Sequence, residues 1–284
     1  MKPQFNAIAV VGTGAMGQGI AQIAAQAGST VWLFDVAPGA SEKAQNALFD
    51  QWDKLASKGK LSADAVSGHR SRIRIAKELG DLSECQLIIE AIVERLDIKQ
   101  ALFTDLEAIV APETVLASNT SSLSITAIAA PLKHPERLAG YHFFNPVPLM
   151  KVVEVIAGLK TSPAVCDRLR AYASDMGHTA VTAKDTPGFI VNHAGRAYGT
   201  ESLRIVGENV TDFATVDRIL KDQMGFRLGP FELFDLTALD VSHPVMESIY
   251  HQYYEEARYR PSVITAQRLA GRQLGRKTGL GFYA

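Results

Sequence analysis

Two apolar runs separated by a proline-rich break, "GYHFF" and "MKVVEV", each carry one residue foreign to hydrocarbon, His142 and Glu154. The two positions are symmetric about Pro148. If the runs pair as a hairpin across the break, the side chains face each other on adjacent strands. A carboxylate on one imidazole nitrogen fixes the tautomer, steadies the charged form and leaves the other nitrogen to exchange a proton, which is the arrangement of a general base. A core histidine satisfied by a neighbouring acid has the same pattern, because structural ion pairs also place charges inside. The pair alone leaves both readings open.

Other polar groups supply context. "LASNTSSLSI" is a strand end, a polar loop and a helix start, the place beyond the carboxyl ends of parallel strands where α/β sites open. Ser118, Asn119, Thr120, Ser121 and Ser122 are able to hydrogen-bond a ligand hydroxyl or carbonyl there. The competing use is helix capping, expected first of Ser122. "PGFIVN" brings Asn192 into the first helix of a second region, as an amide that either closes a cleft or serves the helix itself.

"AVVGTGAMGQGIAQ" sets Gly12, Gly14 and Gly17 in a G-x-G-x-x-G that closes one strand and opens one helix, with Ala15 and Met16 inside the loop. The first glycine permits the tight turn, the second lets a pyrophosphate approach the backbone, and the third lets helix and strand pack closely. The helix N-terminus then offers free N–H groups and a partial positive charge to phosphate. Asp35 ends the next strand, "STVWLFDV", where an acid grips a ribose 2′-hydroxyl. A carboxylate there repels a 2′-phosphate, so the expected cofactor is NAD, not NADP.

The elements that must hold these groups follow from periodicity. Apolar runs "AIAVVG", "TVWLFDV", "RIRIA", "CQLIIEAI" and "TVLASN" alternate with helical segments, the signature of βαβ units and a parallel sheet. "RLAGYHFF" and "LMKVVEVI" are joined by too short a loop for a crossover helix and should pair antiparallel. "TAVTA" adds a last strand, and Pro187 fits the first turn of the helix that follows. Everything after it is helical, with one long stretch "FELFDLTALDVSHPVMESIYHQYYEEA". The expected fold is α/β: a Rossmann-type, mostly parallel sheet with antiparallel additions over residues 1–184, then a smaller all-helical domain over 185–284. A helical arm rich in Lys and Arg is expected at about 41–70.

Length agrees with two domains, since 284 residues exceed the usual size of one. With 29 Lys+Arg against 30 Asp+Glu, no global field gathers nucleic acid or an anionic membrane, and neither is an expected partner. Cys85 and Cys166 lie far apart without metal-type Cys/His spacing, so no metal is expected and a reducing, cytoplasmic setting is. No apolar run approaches the length of a membrane span, and "MKPQFNAIAVVG" enters a strand directly instead of a signal peptide. Phe231, Leu233, Phe234, Leu236, Leu239 and Val241 are more apolar residues than one helical face needs, and they point to a two-fold dimer through the second domain.

"GTGAMGQGIAQ", "IIEAIVE", "ASNTSSLSI", "HFFNPVPLMKVVEVI", "DTPGFIVN", "GPFELFD" and "GRKTGLGFY" occur in the order found in the L-3-hydroxyacyl-CoA dehydrogenase family. The chain resembles that family over nearly its whole length, and its bacterial 3-hydroxybutyryl-CoA and 3-hydroxyadipyl-CoA members most. The resemblance implies a Rossmann-type domain, a helical domain that forms a homodimer, NAD as cofactor and an acyl-CoA thioester as substrate. It implies His142 as catalytic base with Glu154 as its partner, and Ser121 and Asn192 as hydrogen-bonding groups for the 3-hydroxyl and the neighbouring acyl oxygen. It sets Glu94, Lys99 and Asn119 beside the cofactor ribose and nicotinamide. In the arm it offers Lys54, Lys58 and Lys60 to the phosphates of coenzyme A; a solvated helical face is the competing use of such lysines.

Two residues depart from the pattern: His193 stands where arginine is usual after the Asn, and Ala238 where glycine is frequent. Both fall on helices of the acyl side. Some relatives continue beyond "GLGFYA" into a second helical copy, and the sequence leaves open whether this chain does. Two other readings stay in view. One is a 3-hydroxyacid dehydrogenase with a lysine acid–base, for which Lys184 is the nearest candidate. The other is a non-catalytic NAD-binding structural or sensor protein.

Overall fold

The computed structural model describes residues 2–283, apart from the side chain of Arg196. The chain divides into two compact units between Thr186 and Pro187.

The first unit is built on one eight-stranded sheet in the order β3-β2-β1-β4-β5-β6-β7-β8. Its strands are β1 (Ala7–Val11), β2 (Thr30–Phe34), β3 (Ile73–Ile75), β4 (Leu87–Glu90), β5 (Val115–Ser118), β6 (Leu138–Phe143), β7 (Val152–Ala157) and β8 (Thr179–Lys184). All neighbours run parallel except β6 and β7. The central strands β4, β5 and β6 are buried at every residue, as sheets covered on both faces require. A glutamate and a histidine inside those strands are therefore held in a dry layer.

Helix α1 (Ala15–Ala27) returns from β1 and ends on Gly28 in the left-handed conformation, whose N–H caps the last carbonyls. The expected arm is two helices, α2 (Ala40–Ser57) and α3 (Ala63–Arg70). Ala44, Leu48 and Trp52 of α2 form one buried stripe that joins the main core. Helices α4 (Leu96–Ile109), α5 (Ile125–Ala129) and α6 (Pro163–Asp175) complete the layers. The N-cap of α5 is Ser124, which accepts from Ala127 N at 3.2 Å. Ser122, expected in that role, is drawn instead to Glu94.

The second unit comprises α7 (Val191–Gly207), α8 (Phe213–Met224), α9 (Pro230–Thr237), α10 (Leu239–Gln252) and α11 (Val263–Ala270). Leu203, Val216, Phe231, Phe234, Leu239, Met246 and Phe282 form its core. Two sequence expectations need correction here. Pro187 does not open α7, because Gly188 and Phe189 take positive φ and the helix begins only at Val191. The long helical stretch breaks at Ala238, which stands at φ 66° between α9 and α10. Of the six apolar residues counted for a dimer, Phe231, Phe234 and Leu239 belong to this core, whereas Leu233, Leu236 and Val241 are exposed. Among the described residues no helix is long and apolar enough to cross a membrane.

Candidate active site

The β6/β7 register sets His142 directly opposite Glu154. His142 Nδ1 lies 2.6 Å from Glu154 Oε2, and both side chains are almost wholly removed from solvent. Phe144 packs on the imidazole with ring centroids 4.6 Å apart. A hydrogen-bonded carboxylate on Nδ1 sets the tautomer and holds the ring.

The glycine loop has the shape of a phosphate cradle. Gly12 stands at φ 94°, and a Cβ there would meet Ala91 O at 2.5 Å; a Cβ on Gly17 would meet Gly12 O at 1.9 Å. Around Gly14 a Cβ would meet nothing within 4 Å, and no side chain caps α1. The turn thus excludes side chains where the backbone must close and leaves open space where a pyrophosphate must approach, with Ala15 and Met16 in the first turn of α1.

Asp35 follows β2 beside it. Oδ2 accepts from Thr13 N at 2.8 Å and Thr13 Oγ1 at 3.0 Å, while Oδ1 accepts from Ala37 N at 3.0 Å. Burial pushes its carboxyl up, but the hydrogen bonds from Ala37 and Thr13 outweigh it and hold the group below the usual carboxylate range. Gly12, Gly14 and Asp35 open into a largely apolar cavity of about 720 Å³, whose lining includes Val36, Val93, Ile98 and Leu102. These residues fit NAD: open backbone for the pyrophosphate, an ionised acid for the ribose and an apolar slot for the adenine.

On the other side of β1, Glu94 organises the serine loop. Its Oε1 accepts from Thr120 Oγ1 at 2.6 Å, Ser121 N at 2.9 Å, Ser122 N at 3.0 Å and Ser122 Oγ at 3.0 Å. Ser121 Oγ lies 3.4 Å from the same oxygen. Burial raises the Glu94 carboxyl, but Lys99 and these donors bring it below its ordinary value. Asn119 Oδ1 accepts from Phe143 N at 2.9 Å and so ties the loop to β6 next to His142.

Two of the loop candidates are turned inward. Ser118 is wholly buried and donates to Glu90 Oε2 at 2.6 Å, and Thr120 is spent on Glu94. Glu90 itself was missed in the sequence, although it is a charge inside the apolar run "LIIEA", the same signal that singles out His142. Thr13, which orients Asp35, occupies a variable position of the glycine motif and gave no signal.

The remaining candidates lie on other elements. Lys54, Lys58 and Lys60 are exposed at the end of α2 and the turn after it. Lys184, the lysine of the alternative chemistry, is exposed at the end of β8, the edge strand. Asn192 sits in the first turn of α7 in the helical unit. The neighbouring His193 is enclosed by aromatic hydroxyls, with Nδ1 3.0 Å from Tyr253 Oη and Nε2 3.2 Å from Tyr259 Oη.

Comparison with known proteins finds relatives along nearly the whole chain. Residues 7–186 match the family described as 3-hydroxyacyl-CoA dehydrogenase, NAD binding domain, and residues 188–284 match 3-hydroxyacyl-CoA dehydrogenase, C-terminal domain. The 3-hydroxyadipyl-CoA dehydrogenase of Escherichia coli is 41% identical over 283 residues, covering 100% of this chain and 60% of that protein. A probable 3-hydroxybutyryl-CoA dehydrogenase of Bacillus subtilis is 40% identical, covering 99% of this chain and 97% of that one. The crystal structure of an Escherichia coli 3-hydroxybutyryl-CoA dehydrogenase superposes with TM-score 0.96 at 40% identity, over 98% of this chain and 59% of that one. The chain thus spans about 60% of the length of the Escherichia coli relative. Matched through both of its units, with a glycine cradle for NAD in the first, the chain belongs to the 3-hydroxyacyl-CoA dehydrogenase family.

Proposed function

We propose that the protein is an NAD-dependent oxidoreductase that interconverts a (3S)-3-hydroxyacyl-CoA and the 3-ketoacyl-CoA. The observation that carries this reading is the buried His142–Glu154 pair, held at 2.6 Å on a sheet whose glycine cradle fits NAD. When bound, NAD supplies the hydride acceptor. The protein's share is orientation and proton transfer. His142 takes the 3-hydroxyl proton through Nε2 as C3 gives up its hydride, and returns it in ketone reduction. Glu154 holds the ring and stabilises the imidazolium that forms.

Gly12, Gly14, Ala15, Met16 and Gly17 receive the pyrophosphate, and Asp35 selects the ribose 2′-hydroxyl. Glu94 and Asn119 line the nicotinamide side, with Lys99 wholly buried behind Glu94 rather than open to the cofactor as expected, and Ser121 and Asn192 hydrogen-bond the reacting oxygens. Lys54, Lys58 and Lys60 meet the phosphates of coenzyme A, a role that their exposure supports. Absorbance at the NADH band with acetoacetyl-CoA tests the reading, with NADPH run in parallel. Turnover with NADH and little with NADPH is expected; NADH binding without turnover would leave a binder and sink the enzymatic reading.

The helical unit forms a homodimer in this reading, supported by exposed Leu233, Leu236 and Val241. Light scattering at micromolar concentration should give twice the 30.7 kDa chain mass, and a monomer would contradict it. A cytoplasmic setting suits the two unpaired, buried cysteines. Burial pushes the Cys85 thiol up to about 12, which leaves it unreactive.

A further inference from the structure

Glu90 takes no part in the mechanism above, yet it is wholly buried and fully bonded. Its Oε1 accepts from Lys99 Nζ at 2.5 Å and Ile92 N at 2.7 Å, and its Oε2 from Ser118 Oγ at 2.6 Å. Lys99 is wholly buried as well, and its ammonium also lies 3.3 Å from Glu94 Oε2. One ammonium therefore stands between two carboxylates, and the cluster keeps one excess negative charge. Stability alone does not account for such a cluster, because replacing buried ion pairs with apolar residues is commonly neutral or stabilising.

The sheet says what this charge faces. Glu90 ends β4, paired with Val11 of β1 on one side and Ser118 of β5 on the other. The β1/β4 boundary is where the strand order reverses, and a dinucleotide lies across it at the carboxyl ends. The Asp35 half of the site lies over β1 and β2, so the nicotinamide half lies over β4, β5 and β6. An oxidised nicotinamide ring is cationic, and it loses that charge on accepting hydride.

We propose that Glu90 is a positioning residue that holds Lys99 between two carboxylates and thereby keeps a net negative charge beneath the nicotinamide half, favouring the oxidised cofactor over the reduced one. Without Glu90, Lys99 and Glu94 neutralise each other and the bias disappears. The inference rests on the NAD reading of the site, and it concerns binding, so it is measured without turnover.

The experiment is the ratio of Kd for NAD+ to Kd for NADH, by calorimetry or fluorescence, in the wild-type protein, Glu90→Gln and Ser118→Ala. Glu90→Gln should weaken NAD+ relative to NADH by about 3- to 15-fold, the size of one unit charge near 10 Å at an intermediate effective dielectric. Ser118→Ala breaks a hydrogen bond of the same cluster without changing its charge, and should leave the ratio unchanged. An unchanged ratio in Glu90→Gln, or an equal shift in Ser118→Ala, would overturn the proposal. If Glu90→Gln does not fold, Lys99→Gln carries the test, since removing the ammonium must shift the ratio toward NAD+; no shift, or a shift toward NADH, overturns it. A wild-type protein that binds neither form would instead overturn the function proposed above.

Discussion

The two units both bury carboxylates, but they bond them to different things. In the α/β unit, Glu154 meets His142 and Glu90 meets Lys99, so each acid faces a side chain that can carry a proton or a charge. In the helical unit, Asp217 and Asp235 face backbone N–H groups, joined at Asp217 by one tyrosine hydroxyl. Asp217 accepts from Phe231 N and Glu232 N at the start of α9 and from Tyr283 Oη. Asp235 accepts from Phe282 N and Tyr283 N, both at 2.8 Å. A carboxylate whose partners are peptide N–H groups ties two segments together, and one whose partner titrates is equipped to move or balance charge. Burial of an acid therefore does not by itself mark an active site, and the identity of its donor separates the two kinds.

The largest effect should come from breaking the proton-carrying kind. His142→Gln is expected to lower kcat by about 10²–10⁴, the usual share of a positioned acid–base group, with NADH affinity nearly intact. Glu154→Gln should act in the same direction, and the double variant should be little worse than the worse single one, because the two work as a unit. Steady-state rates beside NADH fluorescence titration measure both quantities. Retained turnover in His142→Gln would move this pair into the same class as Asp217.

Breaking the backbone kind should do the reverse. Asp235→Ala strands the N–H groups of Phe282 and Tyr283 and is expected to cost the helical unit about 2–4 kcal/mol. A Cβ on Gly281 would lie 2.1 Å from Asp235 Oδ1, so this glycine is what lets the acid reach those groups. Urea titration reads the loss, and NADH affinity of the folded fraction should stay at its wild-type value. A variant with full stability and impaired cofactor binding would erase the distinction between the two kinds of acid.

Legibility in the sequence follows the same division. His142 and Glu154 were readable because a short loop and a two-residue period fix which side chains oppose each other, and the eight-stranded sheet around them follows from alternation of apolar runs. The Glu90 cluster draws on β4, α4 and β5, and no spacing within one element reports such an assembly. For the same reason the hydroxyls of Ser118 and Thr120 looked available for a ligand, when strands and loop bring them to Glu90 and Glu94. In the helical unit the helices were legible and their interruptions were not. Alanine is the strongest helix former, so Ala238 reads as continuation where the backbone in fact turns.

That turn supplies the smallest test and the one farthest from the chemistry. Ala238 holds φ 66° and ψ 140°, a region that L side chains avoid, and its carbonyl accepts from Val241 N and Ser242 N at the start of α10. The backbone there suits glycine, the residue frequent at this position in the family that the chain resembles. Strain of this kind costs about 1–3 kcal/mol. Glycine recovers it but gains unfolded-state freedom worth about 0.5–1 kcal/mol and gives up a buried methyl, so Ala238→Gly should stabilise the helical unit by about 1 kcal/mol. Ala238→Val should destabilise it, because a β-branched side chain suffers more at positive φ. Denaturation midpoints of the two variants should therefore bracket the wild type. With the acid pairs themselves unaltered, kcat with NADH should remain unchanged in Ala238→Gly; a gain in stability coupled to a fall in kcat would mean that the α9–α10 turn takes part in catalysis.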